Sequence, residues 1–289
     1  MTKTYETVLF DVKDYVATIT LNRPDVFNAF GPLMMRDLME IFDIVDRDDD
    51  VRAVIVTGAG KHFCAGADLS HGTKTFNFAE RTDAEYKGGV HRDRGGQIAL
   101  RIFECLKPVI GAINGAAVGF GATVILPMDF RLAATSARFG YVFTRRGINI
   151  ESAASWFLPR IVSLPTALDW NLTGRIFNAD EALKAGLVRS LHAPEELLPA
   201  AHAIAREIVE NTAPVSVALT RQLLWRMSSA DHPIEAHKID SRGVQERGKS
   251  ADAKEGVGSF LEKRKPNFTD QVSKDMPDFF PWWKDRPFE

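Results

Sequence analysis

The segments His62-Phe-Cys-Ala-Gly-Ala-Asp-Leu69 and Asn114-Gly-Ala-Ala-Val-Gly-Phe-Gly-Ala-Thr123 decide the fold of this chain. Each follows a short apolar run, at 51–57 and 108–114, of the kind found in strands buried on both faces of a sheet. Their small residues allow a ligand to approach the backbone closely, and the start of a helix exposes unpaired N–H groups. Two such turns side by side would direct two N–H donors at a developing oxyanion.

Glycine-rich turns after strands also occur in nucleotide-binding and purely structural sites, and the residue pattern excludes some of these alternatives. Tight helix packing and a phosphate-binding turn both remain open for either segment taken alone. No Gly-Lys-Ser/Thr sequence follows the second segment, so it is not a nucleotide P-loop. The order of its glycines also differs from that of a dinucleotide-binding turn, and no strand with an acidic end follows about 20 residues later.

Strands and helices alternate on either side of these two segments. Runs of β-branched residues predict a hairpin at 7–12 and 15–21, and apolar spacing predicts a helix at 32–45. After residue 151 the predicted elements are helices, at 153–161, 166–173, 179–185, 195–211, 215–228, 234–247 and 251–263. This order is typical of an α/β fold with a helical C-terminal part, which we divide into residues 1–205 and 206–289. The proline-broken aromatic tail is predicted to dock on a surface.

The composition is that of an ordinary globular protein, with 45% hydrophobic and 26% charged residues. A net charge of -2 provides no general attraction to nucleic acid or to an anionic membrane. Cys64 and Cys105 form no CxxC pair and no Cys/His cluster has ligand spacing, so we expect reduced thiols and no metal. The sequence shows neither a targeting signal nor an apolar run of about 18 residues, so we expect a cytoplasmic protein that does not span a membrane. Residues 70–96 are polar and without a period, and are predicted to be a loop or a pair of helices that lines a binding site.

Further motifs occur in one order along the chain. They are Leu21-Asn-Arg-Pro24, Val54-Ile-Val-Thr-Gly58, Phe63-Cys-Ala-Gly-Ala-Asp-Leu69, Lys107-Pro-Val-Ile-Gly-Ala-Ile-Asn-Gly115, Leu172-Thr-Gly-Arg175 and Glu181-Ala-Leu-Lys-Ala-Gly-Leu-Val188. Through these motifs the chain resembles the crotonase (enoyl-CoA hydratase/isomerase) superfamily over roughly residues 8–268. The resemblance implies an α/β fold, a crotonase-like ββα spiral core with a C-terminal helical trimerisation region.

The resemblance also implies a substrate, a site and an assembly. The substrate is an acyl-CoA thioester, so CoA enters as part of the substrate and no separate cofactor is expected. The two oxyanion donors map onto the N–H groups of Ala67 and Phe120, with Gly119 beside the second. The assembly is a homo-oligomer, either a trimer or a dimer of trimers.

The CoA moiety is expected, on the same resemblance, along the stretches 23–29 and 65–69. The residues concerned are Arg23, Phe27, Ala29, Ala65, Gly66, Asp68 and Leu69. Lys263 and Lys265 match basic residues that reach the CoA phosphates in relatives, although a solvated helix end explains them equally well. Asp68 also fits a helix cap.

Two positions depart from the pattern of the two-carboxylate hydratases. Thr123 and Phe143 stand where those enzymes carry their catalytic glutamates. Adding water to a C=C bond requires a base for the water and an acid for the α-carbon, and neither side chain can be either. We therefore expect Thr123 and Phe143 to contact the substrate rather than to transfer protons.

Glu151 is a carboxylate that stays in this neighbourhood. In several members of the superfamily that the chain resembles, the catalytic acid stands at this position. A single base beside an oxyanion hole can remove a proton from C2 and return it to C4, which moves a double bond without a second acid. The structural alternative is that Glu151 caps or opens a helix that begins near Ser152.

Four functional hypotheses follow, of which an enoyl-CoA isomerase with Glu151 as base is the leading one. A 2-enoyl-CoA hydratase, in which Glu151 and a water serve two purposes, is the first alternative. A CoA-ester hydrolase or dehalogenase with Glu151 as nucleophile is the second. A non-catalytic RNA-binding relative is disfavoured because 263–265 is the only dense basic stretch. Cys64 fits a packing residue better than a nucleophile.

Overall fold

The computed structural model describes residues 4–77, 86–87 and 89–288. The strands in chain order are β1 (Val8–Lys13), β2 (Val16–Leu21), β3 (Ala53–Gly58), β4 (Tyr86–Lys87), β5 (Val90–His91), β6 (Val109–Ile113), β7 (Ala116–Val118), β8 (Phe130–Ala134), β9 (Arg138–Gly140), β10 (Ile176–Asn178) and β11 (Ser190–His192). The helices are α1 (Pro32–Arg47), α2 (Arg94–Glu104), α3 (Phe120–Thr123), α4 (Ala154–Ile161), α5 (Leu164–Thr173), α6 (Ala179–Lys184), α7 (Pro194–Asn211), α8 (Pro214–Met227), α9 (Pro233–Arg247) and α10 (Ala251–Leu261). Part of the segment predicted as a loop at 70–96 lies outside the described residues.

The main sheet has six strands in the order β1-β2-β3-β6-β8-β11. The predicted hairpin is confirmed: β1 pairs antiparallel with β2, and Asp14 and Tyr15 of its turn both have positive φ, as a two-residue hairpin loop requires. Every other neighbouring pair in this sheet is parallel. Parallel strands place their carboxyl ends at one edge, so the segments that follow β3 and β6 emerge side by side.

The central strands are covered on both faces, as the apolar runs predict. In β3, Ala53 and Ile55 pack with the cluster that includes Leu197 and Ala201 of α7. Val54 and Val56 point the other way, into the cluster that contains the apolar face of α1. Since alternate residues of a strand face opposite sides, only a strand with two apolar faces can occupy this position.

The chain beyond the sheet is helical, which confirms the predicted C-terminal part. Helix α7 packs against five strands of the main sheet and continues across residues 205 and 206. The predicted division of the chain between these two residues therefore falls within a helix, and it stays a prediction. The aromatic tail docks on α8, as predicted: Phe280 and Trp282 pack against the cluster of Val215 and Leu219. Within the described ranges, no helix combines the length and the apolar character needed to cross a bilayer.

Candidate active site

The two glycine-rich segments are bonded to each other through their backbones at the edge where β3 and β6 end. The N–H of Cys64 donates to Ala116 O at 2.9 Å, and the N–H of Val118 donates to Cys64 O at 3.0 Å. Gly66 has a φ of +105°, and a Cβ there would stand 2.9 Å from Val118 O. The approach of the segments therefore requires glycine at 66 for both conformational and steric reasons.

The N–H groups of Ala67 and Phe120 are the expected oxyanion donors. Among residues 4–77, 86–87 and 89–288, no acceptor pairs with either N–H. Gly119 has a φ of +57° and turns the chain into α3, of which Phe120 is the first residue. The Phe120 ring stacks on Phe30 with centroids 3.6 Å apart, which fixes the backbone of this turn.

A cavity of about 410 Å³ opens beside these two donors. Its volume is within the range of small-molecule sites. The residues expected in the site that line it are Ala65, Gly66, Ala67, Asp68, Leu69, Gly119, Phe120, Phe143 and Glu151. Phe143 is buried and contributes an apolar wall, while Thr123 lies just behind the wall.

Glu151 turns its side chain toward Thr123 and Ser152. Its Oε1 accepts a hydrogen bond from the Thr123 hydroxyl at 2.7 Å, and its Oε2 accepts one from the Ser152 hydroxyl. The alternative in which Glu151 caps a helix is wrong, because α4 begins only at Ala154 and its N-cap residue is Ala153. The carboxyl is therefore held by two hydroxyl groups at the cavity wall.

The environment of Glu151 raises the pKa of its carboxyl to about 7. Desolvation at the cavity wall is the largest cause, and the charge and hydrogen bond of the neighbouring Asp93 carboxyl act in the same direction. The hydrogen bonds from Ser152 and Thr123 lower the pKa in part. A carboxyl with a pKa near neutrality can both accept and return a proton at physiological pH.

The first turn of α2 packs directly against this carboxyl, which the sequence did not predict. A Cβ on Gly95 would stand 3.0 Å from Glu151 Cδ and still closer to Oε2 and Ser152 Oγ. Asp93 caps the same helix by accepting a hydrogen bond from the N–H of Gly96. The sequence Asp93-Arg-Gly-Gly96 at the start of an amphipathic helix was the available signal, although it did not identify the residues that these four contact.

The stretch 23–29 lies along the segment 65–69. Arg23 forms an ion pair with Asp68 at 2.8 Å and donates to Ala29 O at 2.7 Å. Asp68 also accepts a hydrogen bond from the N–H of Ser70, so its predicted role as a helix cap is wrong: the next turn, Gly72–Lys74, has His71 at its N-cap. Phe27 is exposed and contacts the His62 ring edge-on.

The remaining candidates lie away from the cavity. Lys265 pairs with Glu210 at 2.9 Å, and Lys263 is exposed at the end of α10; neither lines the cavity. Cys64 is buried, and burial raises the pKa of its thiol to about 12, so it packs as a neutral side chain. The described part of the chain contains no group of three or more His, Cys, Asp or Glu that could hold a metal.

Fold and site together define an α/β protein with a cavity that is lined by the residues of two backbone N–H donors and by the Glu151 carboxyl. Residues 11–271 match the family model described as enoyl-CoA hydratase/isomerase. The chain belongs to this family, which confirms both the resemblance and the crotonase-like fold class.

Individual relatives agree with that assignment. The chain is 41% identical over 260 residues to enoyl-CoA hydratase AFT3-1 of Alternaria alternata, which covers 90% of this chain and 84% of that protein. It is 34% identical over 268 residues to 1,2-epoxyphenylacetyl-CoA isomerase of Escherichia coli (strain K12), with coverage of 91% and 98%. The solved structure of an enoyl-CoA hydratase from Bacillus anthracis superposes with a TM-score of 0.80 at 29% identity, covering 91% of this chain and 99% of that one.

Proposed function

We propose that the protein moves the double bond of an enoyl-CoA thioester from C3 to C2, with Glu151 as the base. The observation that carries the proposal is the placement of one carboxyl, with a pKa near 7, on the wall that also presents the N–H groups of Ala67 and Phe120. A base in this position faces the carbon next to the thioester carbonyl. The two N–H groups face the oxygen on which charge develops when that carbon loses a proton.

The reaction needs one proton and no net change of atoms. Ionised Glu151 takes the proton from C2, and the electron pair moves onto the thioester oxygen, where Ala67 and Phe120 donate hydrogen bonds. The resulting dienolate takes the same proton back at C4, which leaves the double bond conjugated with the thioester. The hydroxyls of Thr123 and Ser152 hold the carboxyl in place during both transfers.

The substrate would lie with its CoA along the two adjacent stretches 23–29 and 65–69. The Arg23–Asp68 pair fixes one stretch against the other, and Phe27 presents an exposed ring beside them. Lys263 and Lys265 are exposed and could meet CoA phosphates only outside the cavity wall described above. The trimer or dimer of trimers stays part of this proposal.

Hydration of a 2-enoyl-CoA is the second candidate. Two observations favour it: relatives such as AFT3-1 carry the name hydratase, and Asp93 supplies a second carboxyl next to Glu151. One carboxyl would then activate the water and the other would supply the α-proton. Isomerisation stays the first candidate because it needs only one carboxyl, and Asp93 shares a hydrogen bond with that base.

The test compares two substrates and two variants. Conversion of 3-hexenoyl-CoA to the conjugated isomer is followed by the increase in ultraviolet absorbance. Hydration of crotonyl-CoA is followed by the decrease in the absorbance of its conjugated double bond. Glu151→Gln should lower isomerisation by about 10²–10⁴-fold, the usual contribution of a general base. Glu104→Gln, which removes a carboxyl at the far end of α2, is the matched control and should leave the rate unchanged.

Wild-type turnover in Glu151→Gln would refute the assignment of the base. Faster hydration of crotonyl-CoA than isomerisation of 3-hexenoyl-CoA would replace the first candidate by the second. Accumulation of a mixed anhydride between the Glu151 carboxyl and the acyl group, with release of CoA, would instead indicate a hydrolase.

A further inference from the structure

We infer that Asp93 is a positioning residue of this site, whose carboxylate acts on Glu151 from the neighbouring part of the cavity wall. The inference rests on the proposed function, because it assigns a role to the base named there. Asp93 lies on a different element from Glu151 and follows a segment without recognisable pattern.

The geometry places both carboxyls around the first turn of α2. Asp93 has an extended backbone and accepts the N–H of Gly96, so its side chain folds back over the helix start. Gly95, the next residue but one, has no side chain, and the Glu151 carboxyl occupies the space where a Cβ would stand. Asp93, Gly95 and Glu151 therefore form one continuous part of the cavity wall.

The two carboxyls differ in what stabilises their charge. The N–H of Gly96 and the positive end of the eleven-residue helix α2 stabilise a negative charge on Asp93. Glu151 accepts hydrogen bonds from two hydroxyls, shares a further hydrogen bond with Asp93, and faces the apolar cavity. Because two adjacent carboxyls resist simultaneous ionisation, the neighbouring Asp93 raises the pKa of Glu151.

This arrangement has a consequence for the transfer from C2 to C4. Once Glu151 has taken the proton from C2, its O–H can donate to Asp93, and it remains neutral until C4 accepts the proton. Asp93 acts on this proton through its charge and its hydrogen bond to Glu151. By raising the pKa of Glu151, Asp93 makes the ionised carboxyl a stronger base for C2 and helps the protonated carboxyl to hold its proton until C4 takes it.

Other charged or titratable groups also surround the pair. On the elements packed against it or in the same cavity wall they are Cys64, Asp68, His71, Arg94, Arg145 and Arg146. Cys64 stays neutral because burial raises the pKa of its thiol to about 12. Asp68 is paired with Arg23 and has its pKa lowered, so neither thiol nor Asp68 can account for a titration near neutrality.

The experiment is the pH profile of kcat/KM for 3-hexenoyl-CoA in wild type, Asp93→Asn and Asp93→Ala. Asparagine keeps the helix cap but removes the charge, so Asp93→Asn should move the acidic limb to lower pH by about one unit. At pH 6 that shift would raise kcat/KM, relative to its own plateau, by about five-fold. Glu104→Gln removes the same charge from the other end of α2 and should leave the limb in place.

An acidic limb of the kcat/KM profile that keeps its wild-type position in Asp93→Asn would overturn the inference. If the profile changes only in Asp93→Ala, Asp93 acts solely as a helix cap. Infrared difference spectra across the same pH range report the protonated carboxyl of Glu151 directly, with Glu151→Gln identifying its band. If isomerisation is absent but that band titrates at lower pH in Asp93→Asn, the proposed function fails and the role of Asp93 stands. If the band does not move, the role of Asp93 fails whatever the reaction is.

Discussion

A substitution at Gly95 would displace the Glu151 carboxyl without altering any of the groups proposed to take part in catalysis. A Cβ on Gly95 would stand 3.0 Å from Glu151 Cδ and nearer to its Oε2. The backbone of Gly95 is helical and needs no glycine for its own conformation. Gly95→Ala should therefore leave α2 formed and displace only the carboxyl.

The displacement can be worked out from the contact. Carbon atoms in contact lie about 3.5–4.0 Å apart, so Glu151 Cδ must retreat by roughly 0.5–1 Å, and Oε2 by more. A misplacement of about 1 Å in a reacting group lowers a rate by about 100-fold. Overpacking costs about 1–3 kcal/mol, which the better helix propensity of alanine offsets by about 1 kcal/mol. The protein should stay folded while kcat falls about 100-fold.

The assay is steady-state isomerisation of 3-hexenoyl-CoA together with urea unfolding. Gly243→Ala in α9 is the matched control, because nothing lies within 4 Å of a Cβ at that position. It should keep the wild-type kcat and raise the free energy of unfolding by up to about 1 kcal/mol. A Gly95→Ala enzyme with kcat within about two-fold of wild type would refute the reasoning, since the carboxyl would then act from another position.

Two further predictions concern groups that support the site. Thr123→Val keeps the shape but removes the hydroxyl that lowers the pKa of Glu151, so the midpoint of the acidic limb should rise from near pH 7 by about one unit; a midpoint that falls or stays would contradict the hydrogen bond. Arg221→Met removes a buried guanidinium that pairs with Asp129 at 2.7 Å and donates to carbonyls at the end of α2. It should lower the free energy of unfolding by about 3–5 kcal/mol in urea, and a loss below about 1 kcal/mol would exclude a structural role for this pair.

Most of the fold could be predicted from the sequence because its strands and turns are determined by residues that are close together in the chain. Apolar runs of five or six residues determine buried strands, and residues 51–57 and 108–114 became the neighbours β3 and β6. Glycine patterns likewise located the two segments that pair at the sheet edge. Both features depend on residues close together in the chain, and the parallel order of the strands then brings them together.

The part of the cavity wall that Asp93 and Gly95 form beside Glu151 could not be predicted, because it depends on contacts between residues distant in the sequence. Gly95 and Asp93 lie more than fifty positions before Glu151, and their own surroundings are polar and aperiodic. A glycine that makes room for a carboxyl has the same local pattern as a glycine in a loop. The interpretations of Asp68 and Glu151 as helix caps were wrong for a related reason. An acidic side chain can accept hydrogen bonds from many nearby groups, and the sequence does not show which of them it takes.

Thr123 contributes a hydroxyl, rather than a carboxylate, to the wall that holds Glu151. The resemblance to the two-carboxylate hydratases implies a glutamate at that position, whereas here the Thr123 hydroxyl binds Glu151 at 2.7 Å. The Thr123 hydroxyl has one hydrogen and also lies 3.1 Å from Phe120 O. It can donate to Glu151 when that carboxyl is ionised, or accept from it and donate to Phe120 O when Glu151 is neutral. A single residue can thus satisfy both protonation states of the base and tie each to the turn that carries the Phe120 N–H, which is what a reaction that stores one proton on one carboxyl requires.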